Sequence, residues 1–105
     1  MVEYVNTYKL RKGADVAEFK RAVEVLVKEN FVGRKGLMSF KLLVEGDTWM
    51  DCSRWETRED HAAFLKDAEN PTESALAFYG FLNMVSCRSR VYDVEMEITP
   101  ADMSY

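Results

Sequence analysis

A chain of 105 residues, 48% hydrophobic and 30% charged, suits one domain with one core. A domain of that size buries roughly 60–70% of its unfolded surface. The net charge of −4 argues against a phosphate-binding face, which needs clustered Lys and Arg. The nearest basic cluster, Arg34-Lys35, is too short, and Arg88 and Arg90 share one face of a strand. No apolar run approaches the ~20 residues of a membrane span, and the opening Met1-Val2-Glu3-Tyr4 carries an acid at once. The expectation is a cytoplasmic protein without a nucleic-acid or membrane partner. Cys52 and Cys87 are then free thiols, a disulfide between them being the minority reading.

In chain order, Val2 to Leu10 alternates and is rich in Val, Tyr and Thr, which predicts a strand with Tyr4, Asn6, Tyr8 and Leu10 on one face. Gly13 breaks it. Asp15 stands three residues before Glu18, a cap pair for a helix whose stripe is Val16, Phe19, Val23, Leu26 and Val27, running to about Asn30. Gly33 and Gly36 bracket a loop. Leu37 to Glu45 and Thr48 to Glu56 are strands joined by a tight turn at Gly46-Asp47. In the second of them Trp49, Asp51, Ser53 and Trp55 face one way, and Met50, Cys52 and Arg54 the other.

Thr57 and Asp60 cap a second helix, which carries His61 and ends near Glu69. Asn70-Pro71 restarts a helix with Pro71 at its first position and Glu73 third, and Ala75, Phe78, Tyr79 and Leu82 on one side. A last strand covers about Met84 to Ile98, and Pro100 ends it. The order β-α-β-β-α-β is the ferredoxin-like pattern, an α+β domain over residues 1–98 with a four-stranded antiparallel sheet and a loose tail at 99–105. The far sheet face carries Val5, Met38 or its neighbours, Met50, Cys52 and Val85, and the chain has no further helix to cover it. A second copy related by a two-fold axis is the simplest cover.

From Trp55 onward, WETREDHAAFL resembles the strand-to-helix signature of the antibiotic biosynthesis monooxygenase-like family, small dimeric α+β barrel proteins. The opening strand, the helix after Gly13 and the glycine-turn hairpin fit as well, so the resemblance spans most of residues 2–98. It implies a homodimer and a pocket between sheet and helices in each subunit. Characterised members include cofactor-independent oxygenases of phenolic or quinol-type substrates; others bind and degrade haem, and many have no known activity. Carried over by residue, the tryptophan that lines the oxygenase pocket is kept as Trp55. The polar amide before it is Asp51 here, the pocket tyrosine after it is His61, and an arginine of the next helix is Ala75. The haem-degrading branch implies an asparagine matched by Asn6, seven residues before Gly13. Its tryptophan and its haem-ligating histidine fall on Leu65 and Ala75, and both are missing.

His61, the one histidine, has two readings. It is a core residue with satisfied nitrogens, or a general base in the pocket, where a neutral imidazole can take a phenolic proton near pH 7. Asp51 is an exposed or ion-paired carboxylate, or the group that orients His61. Asn6, Tyr8, Trp55, Phe64 and Tyr79 are packing residues or the walls of a substrate site. One His, two distant Cys and six scattered Met leave no metal spacing, and no phosphate loop or dinucleotide fingerprint is present. The expected function is a cofactor-independent monooxygenase of a small aromatic, phenolic or quinol-type substrate. The alternatives are a non-catalytic small-ligand-binding dimer and a haem-binding or haem-degrading monooxygenase.

Overall fold

The computed structural model describes residues 1–103. Its elements are β1 (Val2–Leu10), α1 (Val16–Asn30), β2 (Leu37–Glu45), β3 (Thr48–Trp55), α2 (Arg58–Ala68), α3 (Glu73–Tyr79) and β4 (Leu82–Asp93). The strands pair antiparallel in the order β2-β3-β1-β4, which is the expected ferredoxin-like arrangement.

The helix starts follow from local chemistry. The Asp15 carboxylate accepts the Glu18 N–H at 3.0 Å and Thr57 Oγ1 accepts the Asp60 N–H at 3.0 Å, each filling a backbone donor that has no partner inside its helix. Phe19, Val23 and Leu26 of α1 are buried against the sheet residues Val2, Tyr8, Trp49 and Trp55. Gly46 turns the β2–β3 hairpin at φ +59°. Gly36 is held more tightly. Its φ is +84°, and a Cβ there would lie 2.2 Å from the Asp60 carboxylate, so only glycine lets α2 start this close to β2.

Three expectations needed correction. Pro71 is not the first residue of α3. Thr72 is the N-cap: its hydroxyl accepts the Ala75 N–H and donates to Asn30 Oδ1, so Glu73 opens the helix and Pro71 precedes the cap. The last strand starts earlier and stops at Asp93 rather than near Ile98. Asp93 lies opposite Val2, where β1 begins, so no strand remains to pair with residues 94–98. The Val94 N–H still reaches the Met1 carbonyl, and Glu97 leaves the strand line to meet Arg54. Finally, β4 is not regular. Between the pairs Thr7–Arg88 and Lys9–Asn83, the four residues Met84 to Cys87 stand opposite Tyr8 alone. The Lys9 N–H bonds to the Ser86 hydroxyl inside this bulge.

The register sorts the two faces. On the side away from the helices run the rows Lys41–Cys52–Val5–Arg90 and Leu43–Met50–Thr7–Arg88. Arg88 and Arg90 therefore share that face. Met38 falls in the irregular start of β2 and Val85 in the β4 bulge; both are exposed outside the regular rows. Residues Thr99 to Met103 form a turn held by the Asp102 carboxylate on Thr99, and residues 104–105 of the expected tail lie outside the described residues. No described helix is long and apolar enough to cross a membrane.

Candidate functional site

Between the helix-covered face of the sheet and the helices lies a cavity of about 570 Å³, within the range of small-molecule sites. Its floor is made by Tyr4, Asn6 and Tyr8 of β1, Asp51 of β3, and Met84, Cys87 and Ser89 of β4. Phe64 of α2 and Ala75, Phe78 and Tyr79 of α3 close it from above. Arg34 lines it as well, paired with Asp67 at 2.7 Å and lying over the Phe64 ring.

The floor carries one polar row. Asp51 pairs with Asn6 across β3–β1, and Asn6 with Ser89 across β1–β4, so the three side chains lie side by side on the same face. Their hydrogen bonds have a direction. The Ser89 hydroxyl donates to Asn6 Oδ1, and Asn6 Nδ2 donates to Asp51 Oδ1 at 2.9 Å. The Tyr8 hydroxyl, from the next row, donates to Asp51 Oδ2 at 2.8 Å. Asp51 is 8% exposed, and burial pushes its carboxyl above the usual range against the opposing pull of the Asn6 and Tyr8 bonds. Burial, and then the adjacent Asp51 charge and its hydrogen bond, hold the Tyr8 phenol well above its usual value, so it stays a donor. Tyr79 is raised by burial and by Tyr4 and Asp51, and Cys87 by burial and Asp51.

The sequence-predicted residues divide into two groups. Asn6, Tyr8, Asp51, Phe64 and Tyr79 line the cavity. Trp55 and His61 do not. Trp55 is fully buried with Phe31 and Phe64 against its ring, and its indole N–H goes to Ser53 Oγ at 2.9 Å. His61 is 3% exposed, lies 4.5 Å from the Tyr4 ring and 5.9 Å from Trp55, and its Nε2 has no partner among the described residues. Burial, and then the Arg58 charge, hold its pKa below the usual value, so the ring is neutral near pH 7. The anticipated Asp51–His61 couple is not formed. Both Asp51 oxygens bond to residues of β1, while His61 sits toward the Trp55 end of the sheet.

Ser89, Cys87, Met84 and Tyr4 were missed as lining residues. For Ser89 a signal existed. If Arg88 and Arg90 share the outer face, the residue between them must point to the helix side. Cys87 and Met84 carried none, because the bulge removes them from strand alternation.

No family model matches the sequence, and no curated protein matches it either. Solved structures do match. One is SnoaB, a cofactor-independent oxygenase from Streptomyces nogalater, with a TM-score of 0.73 at 16% identity, covering 91% of this chain and 94% of that one. The chain has the fold of the antibiotic biosynthesis monooxygenases. A second structure with this fold is the monooxygenase from the ActVA-Orf6 gene of Streptomyces coelicolor, solved with the ligand nanaomycin D, with a TM-score of 0.68 at 16% identity over 94% and 91% of the two chains. A third is the haem degrader MhuD of Mycobacterium tuberculosis, with two haems in its active site, a TM-score of 0.65 and 18% identity over 94% and 100%. At these identities the likeness is one of fold.

Leu65 and Ala75, where the resemblance places a tryptophan and a haem-ligating histidine of the haem degraders, both line the cavity. The cavity offers no imidazole, since His61 is packed outside it, so its donor set does not fit a histidine-ligated haem. Among the described residues no group of His, Cys, Asp and Glu is placed to hold a metal ion.

Proposed function

We propose that the chain is a cofactor-independent monooxygenase-like oxidoreductase that takes a small aromatic, phenolic or quinol-type substrate into this cavity. The observation that carries the reading is the polar row Ser89–Asn6–Asp51, joined by Tyr8, on an otherwise apolar and aromatic floor. Asp51 takes the place first expected for His61. It faces the cavity, each of its oxygens keeps a lone pair beyond the bond it already accepts, and its raised pKa brings it closer to that of a working base. The substrate hydroxyl gives its proton to Asp51, and Asn6 donates to the oxygen that becomes negative. The electron-rich anion then reduces dioxygen. A ring CH₂ loses both its hydrogens and supplies all four electrons that reduce dioxygen: one oxygen atom enters as a carbonyl, and the other leaves with the two hydrogens as water. Phe64, Phe78 and Tyr79 hold the ring and exclude solvent.

Oxygen uptake with a panel of polycyclic phenols and hydroquinones, corrected for autoxidation, tests the reading. Asp51→Asn is expected to lower protein-dependent uptake by about 10²-fold or more. An unchanged rate removes Asp51 from the chemistry. A second reading, a ligand-binding protein without turnover, is favoured by Ala75, which puts a methyl group where the resembled oxygenases carry an arginine. Tight binding of the same compounds with no uptake would select it.

We also propose that the protein works as a homodimer in a reducing compartment, joined through the outer sheet face. Val5, Met50, Leu43 and Cys52 lie on that face without a covering helix. Light scattering of the eluting peak at micromolar concentration should give twice the chain mass, and the mass of a single chain would refute the dimer.

A further inference from the structure

The cavity floor combines a base, an oxyanion donor and a fixed orientation, and none of these needs an oxidant. Asp51 Oδ1 and Oδ2 each accept a single hydrogen bond, from Asn6 and Tyr8. Asn6 Nδ2 spends one hydrogen on Asp51, and the other has no partner among the described residues, while Asn6 itself lines the cavity. A proton acceptor and an amide N–H donor therefore sit within hydrogen-bond distance of each other on a wall open to a ligand. Of the charged residues lining the cavity, Glu29, Asp51 and Asp67 are acids, and the one cation, Arg34, is already held by Asp67 at 2.7 Å. An anionic ligand finds no free cation there; a neutral ring compound finds the rings of Phe64, Phe78 and Tyr79 beside this polar pair.

We infer that the same floor catalyses proton transfer at carbon without dioxygen, interconverting the keto and enol forms of a neutral ring ketone. The bond between hydrogen and the α-carbon breaks, and the proton goes to Asp51. The electron pair moves into a carbon–carbon double bond, and the carbonyl oxygen takes up the negative charge while accepting the second Asn6 N–H. Return of the proton to carbon or to oxygen gives ketone or enol, with no change in oxidation state. The inference goes beyond the oxygenase reading: it shares that reading's base, Asp51, and its oxyanion donor, Asn6, but breaks a bond at carbon and needs no dioxygen.

Ser89 acts here as a positioning residue. The ionised Asp51 sets which end of the Asn6 amide faces it, because a flipped amide would set oxygen against oxygen. The Ser89 hydroxyl, bonded to Asn6 Oδ1, anchors the far end of the amide, so that its N–H end stays beside Asp51 and the substrate oxygen.

The test is deuterium exchange into β-tetralone, a neutral two-ring ketone, in anaerobic D₂O buffer, followed by proton NMR. The whole chain should exchange the α-hydrogens well above the buffer rate. Asp51→Asn should fall by about 10²-fold, to near buffer. Ser89→Ala should fall by about tenfold and Ser89→Thr, which keeps the hydroxyl, should recover, a pattern that a purely structural role would not give. Circular dichroism spectra confirm that each variant is folded. Exchange by the folded native chain at the buffer rate overturns the inference, as does a folded Asp51→Asn that exchanges like the native protein. Exchange without any oxygen uptake upholds it while the oxygenase reading falls; uptake without exchange does the reverse.

Discussion

Two titratable groups lie under the helices on the same side of the sheet, almost equally hidden from solvent: Asp51 at 8% exposure and His61 at 3%. Their surroundings are opposite. Asp51 receives two side-chain hydrogen bonds and looks into a cavity. His61 lies against Tyr4 and Trp55 with Nε2 unpaired. Burial perturbs both, raising the acid and lowering the base, each toward its neutral form. What separates a candidate catalytic group from a core residue is then access to space and the presence of polar partners, and depth alone does not show it.

That contrast can be broken from either end. The largest expected effect is at the packed end. Trp55→Ala should cost about 3–5 kcal/mol in urea unfolding, because a fully buried indole leaves a hole among Phe31, Phe64 and His61. The folded fraction should keep its turnover rate, since Trp55 does not line the cavity. A rate that collapses in fully folded Trp55→Phe would mean that the two ends are one site.

Next comes Asp51→Asn. Its turnover loss of about 10²-fold corresponds to about 2.7 kcal/mol of barrier, yet stability near pH 7 should stay level or rise. The sign follows from the raised pKa. The folded chain keeps a proton that the unfolded chain releases, so stability falls as pH climbs from the ordinary Asp value, about 3.9, through the raised one. A neutral amide removes that loss. A variant that unfolds more easily at pH 7 than the native chain would show that the charged form is a structural necessity.

The smallest effect belongs to His61. Its lowered pKa means that, as pH drops from about 6.5 toward the folded value, the unfolded chain binds a proton that the folded one refuses, so stability falls over that window and is fully present above it. His61→Leu should flatten this slope and add about 1 kcal/mol by removing the unpaired nitrogen, with turnover unchanged within about twofold. A His61→Leu variant that is folded but inactive would return the histidine to the mechanism and dissolve the contrast.

Alternation and capping are local properties, and they were legible. The faces of β1 and β3, the stripe of α1 and the Asp15 and Thr57 caps follow from residue spacing, because strand and helix periods force side chains to one side or the other. The element order then leaves few topologies, and the sheet order β2-β3-β1-β4 is one of them. The same logic placed Asn6, Tyr8 and Asp51 on the helix side, where they now meet. It failed where an interaction at long sequence separation overrides the local signal. Thr72, whose hydroxyl caps the Ala75 N–H, displaced Pro71 from the start of α3, and its bond to Asn30, 42 residues away, ties that cap to α1. The end of β4 was set by the length of its neighbour β1, and the bulge opposite Tyr8 by pairing on either side of it.

The sequence by itself therefore determined the fold and the inward set of side chains, since both rest on periodicity and on the residues next in line. Tertiary structure alone decided which of those inward residues border empty space. His61 and Asp51 both point under the helices, and the two were separated by how Tyr4, Phe31 and Phe64 fill the volume near Trp55 and leave it open beside Asn6. Packing of that kind is a sum over contacts between distant parts of the chain, and no stretch of sequence contains it.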